Sequence, residues 1–221
     1  MPNTSPYLLP YLFDLDGTLV DSLPDIAASA NFVRRQYDLP EIPLESVMGM
    51  VGDGLVTLLK RALEHQAEEV FDEAIKLYRT HYHDQCVRMT TVYPGVRECL
   101  AAWTDAGHPL AVVTNKPSLF ANKILEHLEL SRWLPVVIGG DTLAVRKPDP
   151  SPVWTALDRL GVGRERGLMV GDSVGDIQAG RAAGIRTAAA LFGYQPEADL
   201  RGARADEYWT VFGEGHSQQA G

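Results

Sequence analysis

The sequence predicts an α/β protein: a Rossmann-like parallel sheet core with helices on both faces, interrupted by a small inserted α-helical domain. Three observations carry this. From about residue 95 onward, short continuous apolar runs alternate with helical periodicities, the pattern of parallel strands covered on both faces. Between about residues 24 and 88 the periodicity is helical throughout. Three apolar runs end in polar residues, Asp14-x-Asp16, Thr114-Asn115 and Gly171-Asp172, and ligands of open parallel sheets bind outside the carboxyl ends of the strands.

Taken in order, Leu8 to Leu15 is an apolar run that reads as a buried strand. Strand residues alternate faces, so the alternation predicts that Asp14 and Asp16 point the same way as the chain leaves the sheet, and Gly17 lets the backbone turn tightly there. Two carboxylates beside a buried strand are costly unless a cation or hydrogen bonds compensate them. Helical spacing then recurs at Ile26, Ala30, Val33 and Tyr37, at Leu55, Leu58, Leu59 and Ala62, and at Val70, Ala74 and Leu77. Breaks fall at Pro40 to Pro43 and at Gly49 to Gly54. After Tyr93-Pro94-Gly95 come strands at Leu110 to Val113, Pro135 to Ile138, Leu168 to Val170 and Ile185 to Ala190. The helices expected between them are Ser118 to Leu130, Pro152 to Leu160 and Val174 to Ala183. The chain thus divides into a core of residues 1–22 and 89–221 and a helical insert of residues 23–88. The polar, Gly-rich stretch from Gly213 to Gly221 reads as a frayed tail.

Composition narrows the function. The 221 residues, 45% apolar, suffice for one large domain or a core with a smaller insertion. A net charge of -9 argues against a nucleic-acid partner or an anionic membrane. Cys86 and Cys99 form no C-x-x-C pair and read as free buried thiols. Residues 1–10 hold no basic residue and run directly into Asp14, unlike a secretory signal, and no run of about 18 apolar residues suggests a membrane span. The expectation is a soluble, cytoplasmic monomer or homodimer.

Four pieces then stand in order along the chain: Asp14-Leu15-Asp16-Gly17-Thr18-Leu19, Val112-Val113-Thr114-Asn115, Lys147-Pro148, and Gly171-Asp172-Ser173-x-x-Asp176. Together they resemble the haloacid dehalogenase superfamily in its phosphohydrolase branch, over nearly the whole chain. The helical insert resembles the family's C1-type cap. Finer text, including Asp21-Ser22-x-x-Asp25, Thr114-Asn115-Lys116 and Arg146-Lys147-Pro148-Asp149-Pro150, is most similar to phosphoglycolate phosphatases. The resemblance implies a small phosphorylated metabolite as substrate, with 2-phosphoglycolate as the specific expectation.

It also assigns roles. Asp14 attacks phosphorus to give an aspartyl-phosphate, and Asp16 protonates the leaving oxygen and later deprotonates the attacking water. Asp14, Asp172 and Asp176 beside a phosphate dianion bring together roughly five negative charges, which need a cation. Lys147 supplies one positive charge, and an all-oxygen site suits Mg²⁺. The resemblance makes Asp14, Asp16 (through its backbone carbonyl) and Asp172 the metal ligands. It places Asp176 behind them, orienting water or Lys147, and gives Thr114, Asn115 and Lys147 to the phosphate.

Other features read as structural. His81 and His83 are two apart in a helical stretch and face different directions, so they chelate no single metal easily. The four tryptophans are scattered and read as packing residues. The loop Gly49 to Leu55 is a flexible connector or a surface that closes over substrate, with Asp53, Lys60 and Arg61 the nearest polar candidates for its far end. The rivals are a β-phosphoglucomutase-like sugar-phosphate mutase, a pyrophosphatase or another small-metabolite phosphatase and, from a different class, an inactive binding protein. The last would be expected to lose at least one of Asp14, Asp16, Lys147 or Asp172; all four are present.

Overall fold

The computed structural model describes residues 8–64 and 70–216. In chain order, β1 (Tyr11–Phe13) leads to a short strand, β2 (Val20–Asp21), and then to four helices: α1 (Leu23–Gln36), α2 (Leu44–Met48), α3 (Leu55–Ala62) and α4 (Phe71–Gln85). The chain returns through β3 (Thr91–Val92), α5 (Val96–Asp105), β4 (Leu110–Val113), α6 (Ser118–His127) and β5 (Val136–Ile138). It continues with α7 (Ser151–Leu160), β6 (Leu168–Gly171), α8 (Val174–Ala182), β7 (Arg186–Ala190), α9 (Glu197–Ala203) and β8 (Glu207–Trp209).

Six strands form one parallel sheet in the order β5-β4-β1-β6-β7-β8. The chain steps one way from β1 to β4 and β5, then crosses to the other side for β6, β7 and β8. That reversal falls between β1 and β6, and a crevice opens at such a switch point. Side-chain alternation fills both faces. Tyr11 and Phe13 pack with Leu100, Trp103, Phe120 and Ile124 of α5 and α6, while Leu12, on the opposite face, packs with Val153, Leu157 and Ala179 of α7 and α8. The Tyr11 ring stacks on Trp103 at 4.4 Å between centroids, an arrangement with more apolar contact than an aliphatic pair provides. Among the described residues no helix is long and apolar enough to cross a membrane.

The helical insert hangs from two connectors that pair as an antiparallel ribbon, Val20 against Val92 and Asp21 against Thr91. Asp25, in the first turn of α1 and fully buried, ties the second connector to the first. Its carboxylate accepts from the N–H of Met89 (3.0 Å) and Thr90 (2.9 Å) and from the Thr90 hydroxyl (2.8 Å). α1 carries Pro24 in its first turn, where the missing N–H is harmless, and Arg34 and Arg35 in its last turn, which suit the negative end of the helix.

Three expectations change. The first strand is shorter than Leu8 to Leu15: only Tyr11–Phe13 pairs, and by Asp16 the chain is already turning, with the Leu15 carbonyl accepting from Leu19 (3.0 Å) and Val20 (3.1 Å). Strand alternation therefore does not carry the Asp16 side chain. The tail expected to fray is packed as far as His216, whose ring meets the Tyr11 hydroxyl at 3.0 Å and Glu207 at 2.8 Å; residues 217–221 lie outside the described residues. Finally, α9 and β8 extend the sheet by a strand whose mixed text, Glu207-Tyr208-Trp209, suits an edge and gives little apolar signal. Cys86 and Cys99 are free and buried, as expected.

Candidate active site

Three strand ends build the site. β1 delivers Asp14, whose N–H continues the ladder to the Val170 carbonyl at 2.9 Å. β4 delivers Thr114 and Asn115, with the Thr114 N–H on the Ile138 carbonyl at 2.9 Å. β6 delivers Asp172, and the next helix is fixed by a capping box in which Ser173 and Asp176 satisfy each other's N–H groups. Asp14 and Asp172 thus flank the switch point, and carboxylate oxygens of Asp14, Asp172 and Asp176 all lie within 4.8 Å of one another.

One buried cation enters this cluster. Lys147 Nζ donates to Asp176 Oδ1 (2.5 Å) and to the Val113 carbonyl (2.5 Å), and lies 3.1 Å from Asp14 Oδ1. Burial works against its charge, but the carboxylates of Asp14 and Asp176 outweigh burial and raise its pKa. Burial, only partly offset by Lys147, pushes Asp14 up to about 6. Asp172 is held well above the usual carboxylate range, first by burial and then by repulsion from Asp14 and Asp176. One ammonium is therefore too little positive charge for three buried carboxylates. A dense, oxygen-only acidic set of this kind fits a hard divalent cation.

Asp172 is positioned by close backbone approach. Its oxygens accept from the Thr18 hydroxyl (3.0 Å) and the Tyr194 N–H (2.8 Å). A Cβ on Gly17, whose φ is +78°, would fall 2.1 Å from Asp172 Oδ2, so only glycine fits there. Tyr194 carries no motif signal, yet it links the cluster to the insert. Its hydroxyl donates to Asp21 (2.9 Å) and accepts from the N–H groups of Ser22 (2.8 Å) and Leu23 (3.1 Å) at the start of α1. Only the fold brings it near Asp172.

The remaining predicted residues are placed differently from one another. The Asp16 side chain turns away from the three-carboxylate cluster. It is bound by Lys116 Nζ at 2.8 and 2.9 Å and by the Ser22 hydroxyl. The Asn115 amide is committed to the scaffold, donating to the carbonyls of Gly52 (2.9 Å) and Lys147 (3.0 Å) and accepting from the Lys147 N–H (3.0 Å). Asn115 therefore has its backbone N–H, and not its amide, to offer a ligand. Thr114 is buried beside Asp14, where its side-chain hydrogen bond holds the carboxylate down against burial. Asp176 sits with Lys147 and Ser173.

A cavity of about 60 Å³ separates the cluster from the insert, lined on one side by Asp14, Asp16, Thr114 and Asp172 and on the other by residues of α1, α3 and α4. Asp53, Lys60 and Arg61 do not line it: Arg61 pairs with Asp53 at 2.5 Å on the surface, and Lys60 lies over the Phe71 ring. His81 is held by Ser29 at 2.9 Å and stacked on Phe32, and His83 is exposed.

Comparison with known proteins adds the lineage. The family model described as haloacid dehalogenase-like hydrolase matches residues 11–190. A protein of Cupriavidus necator named phosphoglycolate phosphatase is 41% identical over 186 residues, covering 83% of this chain and 80% of that one. Its namesake in Aquifex aeolicus is 40% identical over 183 residues, covering 83% and 84%. Among solved structures, a Haemophilus somnus protein described as a predicted phosphoglycolate phosphatase superposes with a TM-score of 0.88 at 31% identity, covering 94% of this chain and 96% of that one. With the switch-point carboxylates placed as above and the family model spanning most of the sequence, the chain belongs to the haloacid dehalogenase-like hydrolases.

Proposed function

We propose that the chain is a Mg²⁺-dependent phosphomonoesterase whose substrate is a small phosphorylated metabolite, most specifically 2-phosphoglycolate, cleaved to glycolate and phosphate. The observation that carries this reading is the buried trio Asp14, Asp172 and Asp176 around Lys147 at the sheet's switch point. The specific substrate rests on the relatives named above.

In this reading Asp14 attacks phosphorus and the bond from phosphorus to the alkoxide oxygen breaks; Asp16, which takes up a proton once Lys116 no longer holds it as an anion, gives that oxygen its proton. Water then attacks the aspartyl-phosphate, Asp16 takes the proton, and phosphate leaves with Asp14 restored. Asp14 and Asp172, with the Asp16 backbone carbonyl, are the residues that would hold the metal, and when bound it offsets the charge that the cluster and the phosphoryl group bring together. Lys147, anchored by Asp176 and the Val113 carbonyl, presents its charge beside Asp14 toward the phosphoryl oxygens. Thr114 and the Asn115 backbone N–H supply further donors. The helices of residues 23–88 serve as a cap that excludes water from the closed cavity.

A panel of phosphate esters assayed with Mg²⁺ and with excess chelator tests this. Phosphate release that needs the metal and returns on its addition is expected. Undiminished release in chelator would contradict the charge argument, and conversion of β-glucose 1-phosphate to glucose 6-phosphate would establish the mutase instead.

A further inference from the structure

We propose that Lys116 recognises a carboxylate on the substrate and so sets the enzyme's preference for short phosphorylated acids; this rests on the phosphatase reading above. Among the described residues Lys116 is the only lysine or arginine in the cavity lining, and it belongs to the core, in the loop after β4, not to the helical insert. It is 7% exposed. Around it the cavity wall is apolar, formed by Ile26, Leu55, Leu58, Tyr78 and Phe120. An ammonium in such surroundings needs an anion at hand.

Without substrate that anion is Asp16, bound through both oxygens at 2.8 and 2.9 Å. The ammonium also lies 4.8 Å from the centre of the Tyr82 ring, which steadies a cation on that side. Tyr82 lines the same cavity, and its hydroxyl is the one buried side-chain polar atom without a hydrogen-bond partner among the described residues. Such an orphan donor costs stability unless something it can bond arrives.

Position then selects the ligand. Asp16 faces the leaving oxygen in the proposed reaction, so Lys116, directly bonded to Asp16, stands just beyond that oxygen. A carboxylate one carbon from the ester oxygen falls within reach of the ammonium, whereas a neutral ester of the same length brings nothing to pair with it. The substrate class this favours is the phosphate ester of a 2-hydroxy acid.

The experiment compares kcat/KM for 2-phosphoglycolate and ethyl phosphate, which differ by the carboxylate, in the wild type, Lys116→Met and Lys116→Arg. The wild type should prefer the acid by about 100-fold, the scale of one buried charge-assisted pair. That ratio should fall at least about tenfold in Lys116→Met and be partly kept in Lys116→Arg. A wild type that hydrolyses both esters equally overturns the proposal without reference to any variant. So does a preference that survives Lys116→Met while both rates fall together, which would make Lys116 a support for Asp16. A wild type that releases phosphate from no ester would instead defeat the phosphatase reading itself.

Discussion

Asp14 and Asp16 stand two positions apart and are held by different groups. Asp14 is 6% exposed, beside Lys147 and the other carboxylates, while Asp16 is held by Lys116 and Ser22 on the side facing the insert. That separation suits one residue to attack phosphorus and the other to handle the proton. Asp16→Ala should lower the rate by about 10² to 10⁴, the usual contribution of a positioned acid–base group. Steady-state kinetics should show a smaller loss for p-nitrophenyl phosphate, whose leaving group needs little protonation; an equal loss for all esters would remove Asp16 from that role. Asp14 and Asp172 were legible in the sequence because carboxylates at strand ends have few structural uses, whereas Lys147 and Asp176, in a loop and a helix, were legible through the motif resemblance. The roles of Lys116 and Tyr194 were not, since one entered only as part of the Thr114-Asn115-Lys116 resemblance with no function of its own and the other follows an unremarkable glycine. Their positions depend on chain segments about 100 and 20 residues away from their partners.

At the scale of elements, the helical insert depends on its ribbon and on Asp25. Asp25→Ala would leave the buried N–H and hydroxyl of Thr90, and the N–H of Met89, without their acceptor. Urea unfolding should show a loss of at least about 2 kcal/mol; a loss below about half a kilocalorie per mole would mean the connectors are held by the β2–β3 ribbon alone. The loop before α3 touches the core through the Gly52 carbonyl, which accepts from Asn115, and Gly52 has φ +115°. Gly52→Pro forces a φ near −65° there and should impair 2-phosphoglycolate hydrolysis more than p-nitrophenyl phosphate hydrolysis, which tolerates an open site. Equal effects on the two would deny the loop a part in closure. The helical periods at Ile26 to Tyr37 and at Leu55 to Ala62 mark α1 to within three residues and α3 at both ends, because amphipathic spacing is local. The two-residue strands β2 and β3 were not legible, because pairing across about 70 residues leaves no local period.

The whole molecule joins a sheet packed on both faces to a cluster of unbalanced charge at its switch point, and its stability responds to pH accordingly. Burial lowers the pKa of His81, with Arg35 and Arg88 adding repulsion, and lowers that of His108 against a hydrogen bond from its ring to the Leu9 carbonyl. A depressed histidine binds its proton less readily when folded, so this contribution is complete above the ordinary value of 6.5 and is lost as pH falls below it. Replacing both histidines by glutamine should flatten the drop in urea midpoint between about pH 7 and pH 5; an unchanged slope would assign that drop to other groups. The α/β class was legible from the apolar runs of β4, β6 and β7. The edge strand β8 and the packed residues around His216 were hidden by polar text whose burial comes only from the assembled core. The central claim is that phosphate leaves through Asp14, and the most direct measurement is phosphate release by purified, folded Asp14→Asn protein against the wild type with Mg²⁺ present. An amide cannot act as the nucleophile, so the account predicts loss of turnover with the fold retained by circular dichroism, whereas release within about tenfold of the wild-type rate, a difference of only about 1.4 kcal/mol in barrier, would contradict it.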